Sequence, residues 1–173
     1  MLVTSTSATS GDVTVKARMR TPEQRPGGNP WETAWLWWNY TRIPMTGSAQ
    51  GIPDPDGYAR FAYYLTLKPN GWEVGKIDQQ HFTTTGGQRY LATGTTPTFP
   101  IGGTWHDVEV RQVGGKITVL VDGATLTTVT DTGGTVTGEQ VYTSGGVGLY
   151  CEDSLAEFSG VTVTSTAGTA TLL

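Results

Sequence analysis

Charge and cysteine are scarce in this sequence, and both absences restrict its function. Of its 173 residues 15% are charged, and Cys151 is the only cysteine, so an internal disulfide is excluded. The net charge is -4 and no Lys/Arg cluster occurs, which argues against a nucleic-acid partner. The longest apolar runs are far shorter than the roughly 20 residues of a membrane span, so no membrane partner is expected.

Signals for export are also missing from the start of the chain. Residues 1–7 (MLVTSTS) have neither the basic nor the apolar segment of a signal peptide. We therefore interpret the chain as a mature or excised domain, or as a virion component that needs no such signal. The expected location is extracellular or on a virion surface.

Helical patterns are absent as well. No long segment has apolar residues at helical spacing, and 24 Gly and 9 Pro interrupt nearly every window. The abundance of Gly, Thr and Val is typical of a β protein with tight turns. The length suits one domain with a real core, so we predict a polar lead-in at residues 1–10 and a single β-sandwich at 11–173.

What the sequence does contain is a series of strand patterns separated by turn signals. Two hairpins are marked by Asn70-Gly71 and by Gly114-Gly115, pairs that favour tight β-turns. Roughly ten strands at this spacing predict two packed sheets. The predicted strands cover residues 12–19, 31–42, 58–68, 72–78, 88–93, 105–113, 116–121, 124–130, 145–151 and 155–164.

Tryptophan is concentrated in one part of the chain. Five of the six Trp residues lie between positions 31 and 72, four of them in the run WETAWLWWNY at 31–40. Side chains of a strand alternate between two faces, so this run cannot place every ring in one core. Some rings should line a second surface, and flat aromatic faces beside polar groups suit sugar rings.

Three segments of the second half carry a family pattern: residues 103–111 (GTWHDVEVR), 115–123 (GKITVLVDG) and 144–150 (SGGVGLY). With the hairpin at 63–67 and 71–76, they resemble the concanavalin A-like lectin/glucanase superfamily, in its laminin-G-like and keto-disaccharide-hydrolase-like branches. The resemblance covers residues 11–165. It implies an all-β, two-sheet antiparallel jelly-roll sandwich, with a sugar groove on a concave sheet that contains strands 31–42, 58–68 and 72–78.

Alternation then sorts side chains between groove and core. In the first of these strands we assign Trp35 and Trp37 to the core, and Trp38 and Tyr40 to the groove. An aromatic groove that also carries Arg is chemically suited to sugar hydroxyls and carboxylates. The predicted ligand-binding residues are Trp38, Tyr40, Arg42, Arg60, Tyr64, Trp72, Lys76 and Arg89.

Catalysis is left open by the sequence. Glycoside hydrolysis normally needs two carboxylates across the scissile bond, and the Glu-x-Asp-x-x-Glu strand of the superfamily's β-glucanases has no match here. Gln79-Gln80-His81 is only faintly similar to the Gln-x-His triplet of its alginate-lyase-type members. Lys76, His81 and Glu73 are the candidate catalytic residues, with His81 suited to proton transfer near neutral pH.

Two acidic clusters are candidate calcium sites. Residues 54–57 (DPDG) begin like a calcium loop but lack its later ligands, so we predict a surface turn. Glu152, Asp153 and Glu157 are candidate ligands for one calcium ion, since related sandwiches often bind calcium through loop carboxylates.

Three function classes remain compatible with these patterns. The first is a lectin-like domain that binds a polysaccharide or oligosaccharide. The second is a glycan-cleaving enzyme, a glycoside hydrolase or polysaccharide lyase, that uses the same groove. The third is a structural or adhesive virion domain of a tail or capsid. The aromatic groove and the missing acid pair favour the first class.

Overall fold

The fold is built almost entirely of β-strands. A computed structural model describes residues 2–4, 9–29, 31–44 and 57–173, and all but Gly57 of the calcium-loop-like segment 54–57 lies outside them. One 3-10 turn, Thr85–Gly87, interrupts the strands. The strands are β1 Leu2–Thr4, β2 Thr9–Ser10, β3 Val13–Gln24, β4 Ala34–Pro44, β5 Tyr58–Lys68, β6 Gly71–Asp78, β7 Gln88–Gly94, β8 His106–Val113, β9 Lys116–Val121, β10 Ala124–Thr130, β11 Ser144–Cys151, β12 Ser154–Ser165 and β13 Gly168–Thr171.

These strands form two antiparallel sheets in the described part of the chain. Sheet A has the order β1-β11-β4-β5-β6-β7, with β2 also paired to β11, and sheet B has the order β10-β9-β8-β3-β12-β13. The predicted two-sheet antiparallel jelly-roll sandwich is confirmed. Within the predicted lead-in, β1 and β2 both pair with β11. None of the described helical segments has the length and apolar character of a membrane span.

The hydrophobic core lies between the two sheets. Sheet B contributes Val15, Val110 and Val119, and sheet A contributes Leu36 and Leu65, all of them fully buried. Burying one such side chain stabilises the fold by roughly 1.5–3 kcal/mol, so the repeated Val and Leu positions account for the cohesion of the sheets. Alternation along each strand then leaves the other face of sheet A available for a site.

A cluster of buried charges lies at one side of this core. Lys76 Nζ donates to Asp131 Oδ2 at 2.8 Å and to Glu139 Oε1 at 2.9 Å, and all three side chains are buried. Arg89 forms ion pairs with the same two carboxylates, and the Tyr63 hydroxyl donates to Asp131 at 2.7 Å. Asp131 and Glu139 lie in the connection between β10 and β11, so these bonds attach that connection to sheet A.

Hydrogen bonds decide the ionisation of the two carboxyl groups in this cluster. Burial by itself raises the pKa of Glu139, but hydrogen bonds from Thr135 and Lys76 outweigh it and lower the pKa to about 2. Burial likewise opposes ionisation of Asp131, whose pKa is nonetheless lowered by hydrogen bonds from Lys76 and Tyr63. Both groups are therefore carboxylates at neutral pH, paired with two cations.

Candidate ligand-binding groove

A groove of about 500 Å³ crosses the face of sheet A that points away from sheet B. We call it the outer groove. Its lining residues come from β4, β5, β6, β7 and β11, from the segment before β4 and from loops at the ends of these strands, so it runs across the strands. Aromatic rings form its floor, and charged and amide side chains form its rim.

The floor consists of interlocked aromatic rings. Trp35 and Trp37 line the outer groove, with Tyr64 packed beside Trp35 at 4.7 Å between ring centroids. Tyr150 packs against both indoles, at 5.9 Å from Trp35 and 5.2 Å from Trp37. Tyr40 completes the set at 5.9 Å from Trp37. These rings pack against one another and form a continuous aromatic floor.

Three polar atoms of this floor have no partner. The indole Nε1 atoms of Trp35 and Trp37 and the hydroxyl of Tyr64 are buried and make no hydrogen bond to any described residue. A buried donor left unpaired costs roughly 1–3 kcal/mol, so folded proteins contain few of them. The surrounding rings cover all three atoms, so an acceptor from outside the fold, such as a water molecule or a ligand oxygen, reaches them only when those rings shift.

Two exposed rings flank this floor. Trp31 lies just before β4 and is 46% exposed, while Tyr90 lies on β7, at an edge of sheet A, and is 57% exposed. Both line the outer groove. An exposed ring beside a groove offers a flat apolar face to a ligand at little cost in ordering, because an aromatic side chain has few rotatable bonds.

Charged groups are distributed along the rim. Lys68 and Glu73 form an ion pair on β5 and β6, and both side chains are largely buried. At the Trp31 end, Glu32 accepts a hydrogen bond from Asn29 at 3.2 Å, and Glu152 accepts one from the Tyr150 hydroxyl at 2.8 Å. Burial raises the pKa of Glu32, and the nearby carboxylates Glu152 and Asp153 raise it further.

The structure reverses the predicted faces of the tryptophans in β4. Trp38 is fully buried between the sheets, where its Nε1 donates to Gln112 Oε1 at 2.8 Å, whereas Trp35 and Trp37 line the outer groove. The predicted alternation is present, but both faces of β4 are apolar, so alternation alone could not tell which face meets sheet B. Trp38 is therefore a core residue rather than a binding residue.

Tyr40 nevertheless lies on the groove face, because a bulge interrupts β4. The pairing with β5 shifts between Trp38 and Thr41, and Asn39 between them has a φ of 51°. Asn tolerates this left-handed conformation better than most residues, and its side-chain amide donates to the Tyr142 carbonyl at 2.9 Å. The bulge moves Tyr40 to the face of Trp37, which simple alternation would not do.

Four other predicted binding residues are not assembled in the outer groove. Lys76 and Arg89 point to the buried charge cluster on the core side, so their assignment to the groove is wrong. Trp72 is packed in the core with its Nε1 on the Thr96 carbonyl, at the border of a neighbouring depression of about 480 Å³. Arg42 lies over the Tyr58 ring at 4.2 Å, outside the lining formed by the described residues.

Of the remaining predicted residues, Arg60 and Glu73 line the outer groove and Tyr64 packs into its floor. His81 does not reach it, because its Nδ1 lies 2.8 Å from Asp78 Oδ1 and its ring packs near Phe61. Neither Lys76 nor His81 is thus placed to act on a ligand in this groove. Glu73 is the one candidate catalytic residue that faces it.

The three predicted calcium ligands do not converge. Glu157 forms an ion pair with Arg20 at 2.6 Å in sheet B, while Glu152 lines the outer groove. Asp153 accepts a hydrogen bond from the Asn29 backbone at 3.3 Å. Among the described residues, no group of three or more His, Cys, Asp or Glu side chains is arranged to hold a metal ion. Calcium binding stays a prediction.

Several groove residues were missed by the sequence analysis. Trp31 and Glu32 were counted as parts of a strand, but β4 begins only at Ala34, so both lie in the preceding loop. Tyr150 belongs to a strand that was predicted without a face, and only its pairing with Trp35 in the structure places it at the groove. Tyr90 follows Arg89 directly in β7, so their side chains point to opposite faces of the sheet. The prediction of Arg89 as a binding residue therefore chose the face that points away from the groove.

A glycine makes room for the groove floor. A methyl group added at Gly75 would lie 2.3 Å from the ring of Tyr64, which crosses over β6 at this point. We expect Gly75→Ala to lower the free energy of unfolding by about 1–3 kcal/mol, since the aromatic floor would have to shift. Urea denaturation measures this effect. In a Tyr64→Val background the same substitution should cost much less, and an equal cost in both backgrounds would contradict the packing argument.

Comparison with solved structures identifies the fold, but comparison of the sequence finds no match. No protein-family model and no curated protein matches the chain. A carbohydrate binding module from Bacillus subtilis aligns over 94% of this chain and 80% of its own, with a TM-score of 0.63 and 16% identity. A Bacillus subtilis protein of unknown function with a galectin-like fold aligns over 94% and 76%, with a TM-score of 0.66 and 14% identity.

A putative glycosyl hydrolase from Parabacteroides distasonis is also similar, with a TM-score of 0.56 and 11% identity over 92% of this chain and 74% of its own. At such identities the likeness concerns the arrangement of strands and not the residues of a site. The chain therefore has the concanavalin A-like jelly-roll fold that its sequence predicted.

Proposed function

We propose that this domain binds carbohydrate in the outer groove. The observation that carries the proposal is the floor of packed aromatic rings, Trp35, Trp37 and Tyr150, in a groove flanked by the exposed rings of Trp31 and Tyr90. A sugar presents apolar C–H faces that pack on aromatic rings, and hydroxyl oxygens that accept hydrogen bonds. Its hydroxyl groups also donate, which suits the carboxylates and amides of the rim.

The fold comparison supports the proposal at a coarse level. One solved structure of similar fold is described as a carbohydrate binding module, and another as a putative glycosyl hydrolase. Neither likeness extends to the site, because the sequence identities are 16% and 11%. The proposal therefore depends on the chemistry of the groove in this chain.

Binding without cleavage fits the position of Glu73, the one predicted catalytic residue that faces the groove, better than hydrolysis does. Glu73 on β6 and Glu152 beyond the end of β11 are separated by three strand spacings, roughly 14 Å between backbones, whereas hydrolysis uses carboxyl groups roughly 5–9.5 Å apart. Glu73 is moreover engaged by Lys68. Incubation with a bound polysaccharide should therefore release no new reducing ends and no unsaturated uronate products.

The six indole groups provide a direct test of the site. We expect a bound glycan to shift the indole N–H resonances of Trp35 and Trp37 in a nitrogen-15 correlation spectrum, saturably with glycan concentration. The indoles of Trp38 and Trp72 serve as internal controls, because their N–H groups already donate to Gln112 and to the Thr96 carbonyl. A panel of soluble neutral and anionic polysaccharides supplies the ligands.

Two outcomes would count against the proposal. If no member of the panel shifts any indole resonance, the outer groove does not bind these glycans. If binding shifts Trp105 in place of Trp35 and Trp37, the site lies elsewhere, because Trp105 packs under Arg18 and Arg20 of sheet B.

A further inference from the structure

The charges of the outer groove are unevenly placed. At the Trp31 end, Glu32 and Glu152 line the groove and Asp153 lies beside Glu32. Asn29 holds this end together, since its side chain donates to Glu32 and its backbone donates to Asp153. In the part of the chain that the structure describes, no Lys or Arg forms an ion pair with any of these three carboxylates.

The cations of the groove do not offset this end. Lys68 is paired with Glu73, and both side chains are largely buried, so its charge is neutralised within the protein. Among the described lining residues Arg60 is the other cation, and the glutamates Glu32 and Glu152 outnumber it. The chain as a whole has a net charge of -4, which adds a field of the same sign.

From this arrangement we infer that the outer groove selects neutral glycans and rejects those that carry carboxylate or sulfate groups. The inference rests on the proposed carbohydrate binding and adds the class of glycan. A ligand carboxylate placed near Glu32 and Glu152 would lose hydration and meet like charges, both of which oppose binding. Neutral hydroxyl groups instead donate hydrogen bonds to these same carboxylates.

The buried aromatic floor strengthens this discrimination. Trp35, Trp37 and Tyr150 form an apolar surface beside these carboxylates, and the Tyr150 hydroxyl donates to Glu152. Electrostatic repulsion is stronger in such surroundings than in open solvent. Burial, together with the neighbouring carboxylates, also raises the pKa of Glu32.

Matched polymers with the same backbone test the inference. The probes are hydroxyethyl cellulose against carboxymethyl cellulose, dextran against carboxymethyl dextran, inulin against carboxymethyl inulin, and methyl-esterified pectin against polygalacturonate. Where the neutral member binds, we expect its charged counterpart to bind at least about tenfold more weakly in roughly 20 mM salt. That difference should narrow in roughly 200 mM salt, because salt screens the repulsion.

The outcomes of this experiment separate the two proposals. A charged member that binds as tightly as its neutral counterpart, or more tightly, overturns the inference and leaves carbohydrate binding intact. If no polymer of either kind binds, the proposed function itself fails. If the neutral members bind and the charged members do not, the result supports both the proposed function and the inference.

Removal of the carboxylates of Glu32 and Glu152 tests whether these two groups cause the discrimination against charged glycans. We expect Glu32→Gln with Glu152→Gln to raise the ratio of charged-polymer to neutral-polymer affinity at least about fivefold in low salt. The control is Glu23→Gln with Asp107→Asn, two exposed positions of sheet B that change the net charge equally. It should leave the ratio unchanged. An equal rise in the control would assign the effect to overall charge and contradict a local origin.

Discussion

Replacement of Lys76 by methionine should lower the free energy of unfolding by about 3–5 kcal/mol, the usual cost of removing one partner from a buried ion pair. The methionine keeps most of the side-chain volume, so the loss would come from Asp131 and Glu139, which remain buried with fewer partners. Arg89 still contacts both carboxylates, but its side chain lies nearer the surface. Urea denaturation at neutral pH measures the change.

The matched control is Lys68→Met in the outer groove. Lys68 also pairs with a glutamate, but its side chain is 11% exposed, so Glu73 can be hydrated when the lysine is lost. We expect a smaller cost, of about 1–2 kcal/mol, because this pair is more exposed than that of Lys76 but less exposed than a surface ion pair. If Lys76→Met were no more damaging than Lys68→Met, the charge cluster would not anchor the connection between β10 and β11.

The same cluster gives the domain an acid-sensitive component of stability. The folded pKa of Glu139 is lowered from 4.5 to about 2, and the pKa of Asp131 is lowered as well. A lowered folded pKa contributes stability above the unfolded value, and that contribution is lost as pH falls from about 4.5 toward about 2. Lys76→Met should lose less stability than the wild type over this range, because the carboxylates are already less stabilised.

The fold was predictable from the sequence because its signals are local. Period-two alternation and the turns at Asn70-Gly71 and Gly114-Gly115 specify strands and hairpins, and the observed β5–β6 and β8–β9 pairs contain them. The two-sheet arrangement follows from the number of strands and the absence of helical periodicity. No contact distant in sequence was needed for these predictions.

The site was less predictable because its decisive contacts are distant in sequence. The choice between Lys76 and Glu73 as the groove residue depends on Asp131 and Glu139, which are 55 and 63 positions away from Lys76. The faces of β4 are both apolar, so only the approach of sheet B shows that Trp38 is the core residue. The position of Tyr40 depends on a bulge at Asn39, which strict alternation ignores.

Trp31→Ala should weaken glycan binding by about 30-fold, or about 2 kcal/mol, if the exposed ring acts as a binding hot spot. The ring is 46% exposed at the end of the outer groove, so its removal from the free protein leaves no cavity in the core. Stability should change by no more than about 0.5 kcal/mol. Titration calorimetry with a polysaccharide that binds the wild type measures the loss.

The conservative variant Trp31→Tyr separates ring stacking from other causes. It retains a flat aromatic face and a polar edge, so we expect it to recover most of the affinity that Trp31→Ala loses. Tyr90→Ala, at the β7 side of the groove, should also weaken binding, because a chain lying across the strands meets both rings. If alanine at both positions left the affinity unchanged while Trp35 and Trp37 still responded to the ligand, the glycan would occupy only the centre of the groove. The two exposed rings would then have no part in holding it.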